Sequence, residues 1–138
     1  MTETTTDAKA IALEFLATLE RGDFDALREQ LTEDASWTMM APSIDPPILE
    51  GRAAIVAFFG AGDQVFVEGG PQMTIGRTIA EGDHVAIEAS GTGPLHNGRT
   101  YDNLYHFAID LRDGKVAAVR EYMDSHHVAV TMPPPPGA

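Results

Sequence analysis

Apolar positions recur along this chain with two different periods, and the change from one to the other divides it into a helical part and a strand part. Ala8, Ile11, Ala12, Phe15, Leu16 and Leu19 fall three or four apart, which places them on one face of a helix. The first six residues are polar and Thr-rich and read as a frayed end, with Thr5 or Thr6 capping the helix and Gly22 closing it in a left-handed turn. Asp23 caps a second, short helix with Phe24, Leu27, Arg28 and Leu31 on one side. Ala35 to Met40 reads as a strand, and Pro42, Pro46 and Pro47 break it into a loop. Arg52 to Phe59 reads as a third helix, apolar enough (Ala53, Ala54, Ile55, Val56, Ala57, Phe58, Phe59) that most of it is expected to be buried.

From about residue 72 the period becomes two. Met73 to Ile79 forms one expected strand, 84–91 a second, 100–111 a third and 115–124 a fourth. Asp113-Gly114 is a two-residue hairpin signal between the last two. The segment from Ser125 on, ending in Pro133–Pro136, is expected to be extended or disordered. Helices first and an antiparallel run of strands afterwards predict an α+β architecture, with about three N-terminal helices covering one face of a curved sheet. Residues 1–128 are expected to form a single domain, and 129–138 a proline-rich tail.

Composition narrows the chemistry. A chain of 138 residues suits one domain that folds without a staple. It has no cysteine, which excludes disulfides, thiolate metal sites and cysteine nucleophiles. A net charge of −12 repels phosphate backbones and anionic bilayers, so neither nucleic acid nor a membrane is expected as a partner. No run approaches the ~18 apolar residues of a membrane span, and MTETTTDAKA carries no basic start or apolar core, so a cytoplasmic location is expected.

Carboxylates, tyrosine, asparagine and histidine remain as tools. In the last strand, alternation puts Ala117, Val119, Glu121 and Met123 on one face, and Ala118, Arg120, Tyr122 and Asp124 on the other. Glu121 therefore sits among small and apolar neighbours, where its charged form is disfavoured and its pKa rises toward the range of a general acid or base. The competing role for Glu121 is an ion pair with an arginine at a rim. Asp124 is the second candidate carboxylate, brought to the same side if the strand bulges near its end. The preceding strand shares Tyr101, Asn103, Tyr105, Phe107 and Ile109 on one face; Asn103 and Tyr105 are candidate donors to a ligand carbonyl or enolate oxygen, with Phe107 as a wall. Phe15, Trp37, Met39, Phe58 and Phe59, together with Val119 and Met123, are candidate contacts for a flat apolar ligand, or else ordinary core. Glu88 alternates against Val85, Ile87 and Ala89 and is expected to face solvent. The pair His126-His127 does not predict a metal site, because adjacent side chains on an extended chain point opposite ways.

Three segments, FLATLERGDFDALREQLTEDASW at 15–37, LEGRAAIVAFF at 49–59 and GRTYDNLYHFAIDLRDGKVAAVREYMDSHHV at 98–128, occur in an order that resembles the SnoaL-like branch of the nuclear transport factor two-like superfamily, which includes ketosteroid isomerase and limonene epoxide hydrolase. The resemblance implies a cone-shaped sheet around a pocket and frequent homodimerisation through that sheet. It does not imply one reaction. The isomerase's helix-one tyrosine and its base fall on Phe15 and Met39, and the position of its oxyanion-binding acid falls on Tyr105. The hydrolase's arginine falls near Ala86, its water-binding tyrosine and asparagine near Trp37 and Met39, and its two acids on Glu88 and Glu121. The resemblance implies a cofactor-free enzyme acting on a small hydrophobic, cyclic or polyketide-like molecule by cyclisation, isomerisation or hydration/dehydration, with Glu121 as acid/base. A ligand-binding or accessory protein without catalysis is the alternative, and epoxide hydrolysis between Glu88 and Glu121 a third reading.

Overall fold

Local signals place the helices, and long-range pairing places them on a sheet. The computed structural model describes residues 2–132, with side chains from residue 7 on. Helix α1 is Thr2–Arg21. Its buried residues Ala8, Ala12, Phe15 and Leu16 form the predicted face, which packs toward the sheet. The helix starts earlier than expected: Thr5 and Thr6 lie inside it and not at its start. Once a helix is nucleated, each further residue adds a hydrogen bond at small entropic cost, so polar residues can extend it. Gly22 ends it with φ 72, a conformation that costs glycine little. Helix α2 is Phe24–Gln30, and the Asp23 carboxylate accepts from the Ala26 N–H at 3.2 Å.

Strand β1, Leu31–Met39, is followed by β2, Ile48–Glu50, which the prolines had argued against. β2 begins just past Pro47, where the ring no longer removes a donor, and the Pro47 carbonyl accepts from the Met39 N–H at 2.7 Å. Helix α3 is Arg52–Gly60. Only Ile55 in it is buried and Phe58 is 37% exposed, against the expectation of a mostly buried helix. A helix lying on one side of a sheet covers only one stripe of its surface.

Strands β3 (Gln72–Glu81), β4 (His84–Pro94), β5 (Thr100–Arg112) and β6 (Lys115–Met123) complete a six-stranded sheet in the order β2-β1-β6-β5-β4-β3. β5 and β6 join through Asp113 and Gly114, both at positive φ, as the hairpin signal required. All neighbours are antiparallel except β1 and β6, which run parallel. The fold is α+β, as expected. In the core strands one face alternates buried and the other open: Val85, Ile87, Tyr105, Phe107, Ile109 and Val119 point toward the helices.

The segment after β6 is not extended. Ser125–Thr131 forms helix α4, and the Asp124 carboxylate caps it by accepting from the His127 N–H at 3.1 Å. At its other end, the Asn97 amide donates to the Thr131 carbonyl (3.0 Å) and the Arg99 guanidinium to the Val130 carbonyl (2.9 Å). Capped at both ends, with Val128 and Thr131 buried, a seven-residue helix holds against the sheet where an isolated one would melt. Pro133–Pro136 lie outside the described residues. Within the described residues no helix is long and apolar enough to cross a membrane. Replacing Asp124 by Ala should destabilise the protein by about 1 kcal/mol, read as a lowered midpoint in urea denaturation.

Candidate functional site on the concave side of the sheet

Glu121 is set by two neighbours. In the register of the sheet it lies beside Met39 of the parallel strand β1 and beside Phe107 of the antiparallel strand β5. All three side chains belong to the face turned toward the helices, where Met39 and Phe107 are buried. Two residues before Met39, Trp37 is 1% exposed and shares the same face. Its indole N–H donates to Oε1 of Glu121 at 2.8 Å. Trp37 is itself held by rings on several elements: Phe15 of α1 at 6.1 Å, Phe59 of α3 at 4.6 Å and Phe107 of β5 at 6.3 Å between centroids.

The carboxyl thus sits in an apolar, aromatic shell with one neutral donor and no cation among its hydrogen-bond or ion-pair partners within the described residues. Burial pushes its pKa up from an ordinary 4.5 to about 7, and the Trp37 N–H works against that by favouring the ionised form. Protein surrounds the carboxyl, yet Glu121 keeps partial accessibility, so a water-sized space stands beside it. Oε1 is occupied by the indole, which leaves Oε2 as the oxygen facing that space.

Next to Glu121 along the concave side stands a polar cluster. The Tyr101 and Tyr105 hydroxyls lie 2.5 Å apart, and the Asn103 amide donates to Tyr101 at 2.9 Å. Burial raises the pKa of Tyr101 to about 12 and pushes that of Tyr105 further up, so both phenols stay protonated. Phe107 stacks on Tyr105 at 5.2 Å and 15° between ring planes.

The structure therefore brings together Glu121, Trp37, Phe15, Phe59, Phe107 and Tyr105. Met39 and Val119 are buried in the same core, and Met123 is partly buried at its margin. Other candidates lie elsewhere. Asp124 is past the end of β6, exposed, and engaged as the α4 cap, so no bulge turns it inward. Asn103 is buried on the concave side, but its amide donates to Tyr101 and to the Asp124 carbonyl (3.2 Å) while its oxygen accepts from the Leu104 and Asp124 N–H groups (2.8 and 3.0 Å). No capacity remains for a ligand. Phe58 is partly exposed and touches the aromatic shell only through Phe59, edge-on at 5.1 Å. Glu88 is exposed and pairs in register with His106 on the outer face, opposite to Glu121, which removes the two-carboxylate arrangement needed for epoxide hydrolysis by that pair.

The sequence pattern makes Trp37 an apolar wall; its donor role comes from the parallel β1–β6 pairing, which has no local signal. Tyr101 was visible on the right face but nothing in the sequence singled it out. Two open concavities elsewhere, about 420 Å³ at Glu20, Glu68 and Gly70–Met73 and about 580 Å³ at Glu33, Asp34 and Arg112, carry no group comparable to Glu121. Among the described residues no cluster of histidine and carboxylate side chains suits a metal ion.

The sequence matches the family model described as a SnoaL-like domain over residues 12–119. No curated protein matches it. Among solved structures it is similar to an NTF2-like protein from Burkholderia xenovorans LB400, with 25% identity over 94% of this chain and 98% of that one and a TM-score of 0.78. It is also similar to a candidate polyketide cyclase from Xanthomonas campestris pv. campestris (22% identity, 93% and 98% covered, TM-score 0.74). A third likeness is to an LEH-like epoxide hydrolase from M. tuberculosis (20% identity, 91% and 89% covered, TM-score 0.73).

The raised pKa has a consequence for stability. Glu121 binds its proton more tightly folded than unfolded, so below about pH 4.5 it costs nothing, and stability falls as pH rises from there to about 7. Above that the full cost of roughly 3 kcal/mol remains. Glu121→Gln keeps an oxygen for the indole and removes the charge. It should raise the thermal midpoint by several degrees at pH 8, with the gain shrinking to nothing near pH 4.

Proposed function

The chain belongs to the SnoaL-like domain family, and from that premise we propose that it is a cofactor-free small-molecule enzyme in which Glu121 relocates a proton on a hydrophobic, cyclic or polyketide-like substrate. The observation that carries this reading is the carboxyl of Glu121, enclosed by aromatic side chains, hydrogen-bonded among the described residues to Trp37 alone, with its pKa pushed up by burial to about 7. A group with that pKa populates both forms near neutrality, which suits it to take a proton and return it. The Oε2 oxygen would accept a proton from a carbon or hydroxyl of the substrate and deliver it to another position, so that cyclisation, isomerisation or dehydration proceeds without redox change. Trp37 would keep Oε1 as a fixed acceptor and so hold Oε2 toward the substrate. The polyketide cyclase likeness supports the substrate class.

The proposal includes a homodimer formed through the outer face of the sheet. What supports it is apolar surface there: Leu104 is 72% exposed, Ile79 66% and Tyr122 42%, on three different strands. A partner sheet laid on this face would cover these three residues together.

Two outcomes test these readings. Glu121→Gln should lower kcat/KM on a confirmed substrate by roughly 10²–10⁴ and abolish the limb of the pH–rate profile centred near pH 7; a loss below about tenfold would exclude an acid/base role. In solution, light scattering should give a dimer for the native chain and a monomer for Leu104→Glu.

A further inference from the structure

The space beside Glu121 is water-sized, and Phe15, Trp37 and Phe107 around it are at most 3% exposed. A ligand ring therefore needs one wall of the aromatic shell to move. Two walls belong to the sheet: Trp37 lies on β1 and Phe107 on β5, each strand hydrogen-bonded to a neighbour on both sides. A third is α1, twenty residues long and fastened by Ala8, Ala12, Phe15 and Leu16. The fourth is α3, which brings Phe59 to 4.6 Å from Trp37, closer than either of the other two rings.

Of these walls α3 is held least. Ile55 is its one buried residue, and Ala54, Val56 and Phe59 pack on the core only in part. Gly51 and Ala61 at its two ends supply no capping side chain. Its first turn has no acid and its last turn no base, and Arg52 puts a positive charge at the end that favours a negative one. The Arg52 Nε is also buried without a hydrogen-bond partner among the described residues. An unpaired buried donor disfavours the arrangement that buries it. Both ends of α3 are tethered where the chain can hinge. The Gly51 N–H, at φ 90, donates to the Ala35 carbonyl of β1 at 2.7 Å. Past Gly60, the His96 N–H donates to the Val65 carbonyl at 3.0 Å, and its Nε2 lies 2.8 Å from the Asp63 carbonyl.

We propose that α3 is the gate of the concave site. It swings between Gly51 and Gly60 and draws Phe59 off Trp37, and an apolar ring of the ligand takes the face of the indole that Phe59 leaves. The room for the ligand is made by the gate and does not stand in the closed protein. The proposal rests on the reading of Glu121 only in taking the concave side as the ligand site.

Hydrogen exchange of the protein, followed by NMR at neutral pH, tests the gate. Trp37 is the one tryptophan, so its indole N–H gives a single resonance, and Glu121 and the shell protect that proton. The indole proton and the α3 amides should share one opening equilibrium, at least about tenfold more populated than the one that exposes the β5 and β6 amides, and nearly independent of low urea, as a local opening is. Gly60→Ala, whose new methyl meets nothing within 4 Å, should lower that opening about twofold to fivefold. Ala57→Gly, at an exposed position inside the helix, should raise it about fivefold. Each substitution should act equally on the indole and on the α3 amides. Naphthalene binding, read by Trp37 emission, should tighten and weaken by the same factors, because apparent affinity follows the open fraction. An indole proton that exchanges with the sheet amides, or that ignores a substitution shifting α3, overturns the proposal. So do variants that shift neither, and naphthalene that fails to bind or binds all three proteins alike. Turnover by Glu121→Gln decides the carboxyl's role, so the two readings fail separately.

Discussion

A single hydrogen bond, from the Trp37 indole to the Glu121 carboxyl, ties the functional side of this protein to its fold. It depends on β1 and β6 running parallel and in register, so that Met39 aligns with Glu121 and Trp37 with Val119. It depends equally on the rings of α1, α3 and β5 that hold the indole in one orientation. A slip of one residue in that pairing would turn the side chains of one strand to the other face, and the carboxyl would part from the one side-chain donor it has among the described residues.

The bond decides the balance between burial and ionisation. Without it, burial would push the pKa of the enclosed carboxyl higher still. A cation in its place would pull the pKa down instead. A neutral indole donor opposes desolvation only in part and leaves the group at about 7. The same enclosure costs folding stability at neutral pH, a cost carried by the apolar core of α1 and the concave side of the sheet. On the proposed reading of Glu121, function and stability pull on one residue in opposite directions.

The sheet separates two kinds of polar arrangement. On its outer face, polar pairs such as the His84–Asp110 contact at 2.6 Å and the Arg120–Asp110 ion pair at 3.0 Å are open to water and contribute little. On the concave side, the polar groups are fewer and enclosed, and each is placed by specific partners. Asn103 illustrates the difference: it joins the start of β5 to the start of α4 through the Asp124 backbone, and its amide also donates to the Tyr101 hydroxyl. Asp124, read from the sequence as a second reactive carboxylate, serves the same junction as a helix cap. Its Asp-Ser-His-His context is a cap signal as much as a strand end, and only the turn of the backbone after Met123 distinguished them.

The sequence by itself determined the features that depend on neighbours close along the chain. The apolar face of α1, the Asp23 cap, the Asp113-Gly114 hairpin and the alternation of β4, β5 and β6 were all legible, because helix and strand periods are local. Alternation alone placed Glu121 with the apolar residues and Glu88 against them. The three-residue strand β2 and the helix α4 escaped, since the first exists only by pairing with β1 and the second only by its contacts with Asn97 and Arg99. The shallow burial of α3 also escaped, because composition does not say how much of a helix a sheet will cover. What the tertiary structure decided was which groups meet: Trp37 with Glu121 across 84 positions, and Tyr101 with Tyr105 beside them. The parallel pairing behind the first contact is chosen by the burial of the whole concave face, a property no short window of sequence contains.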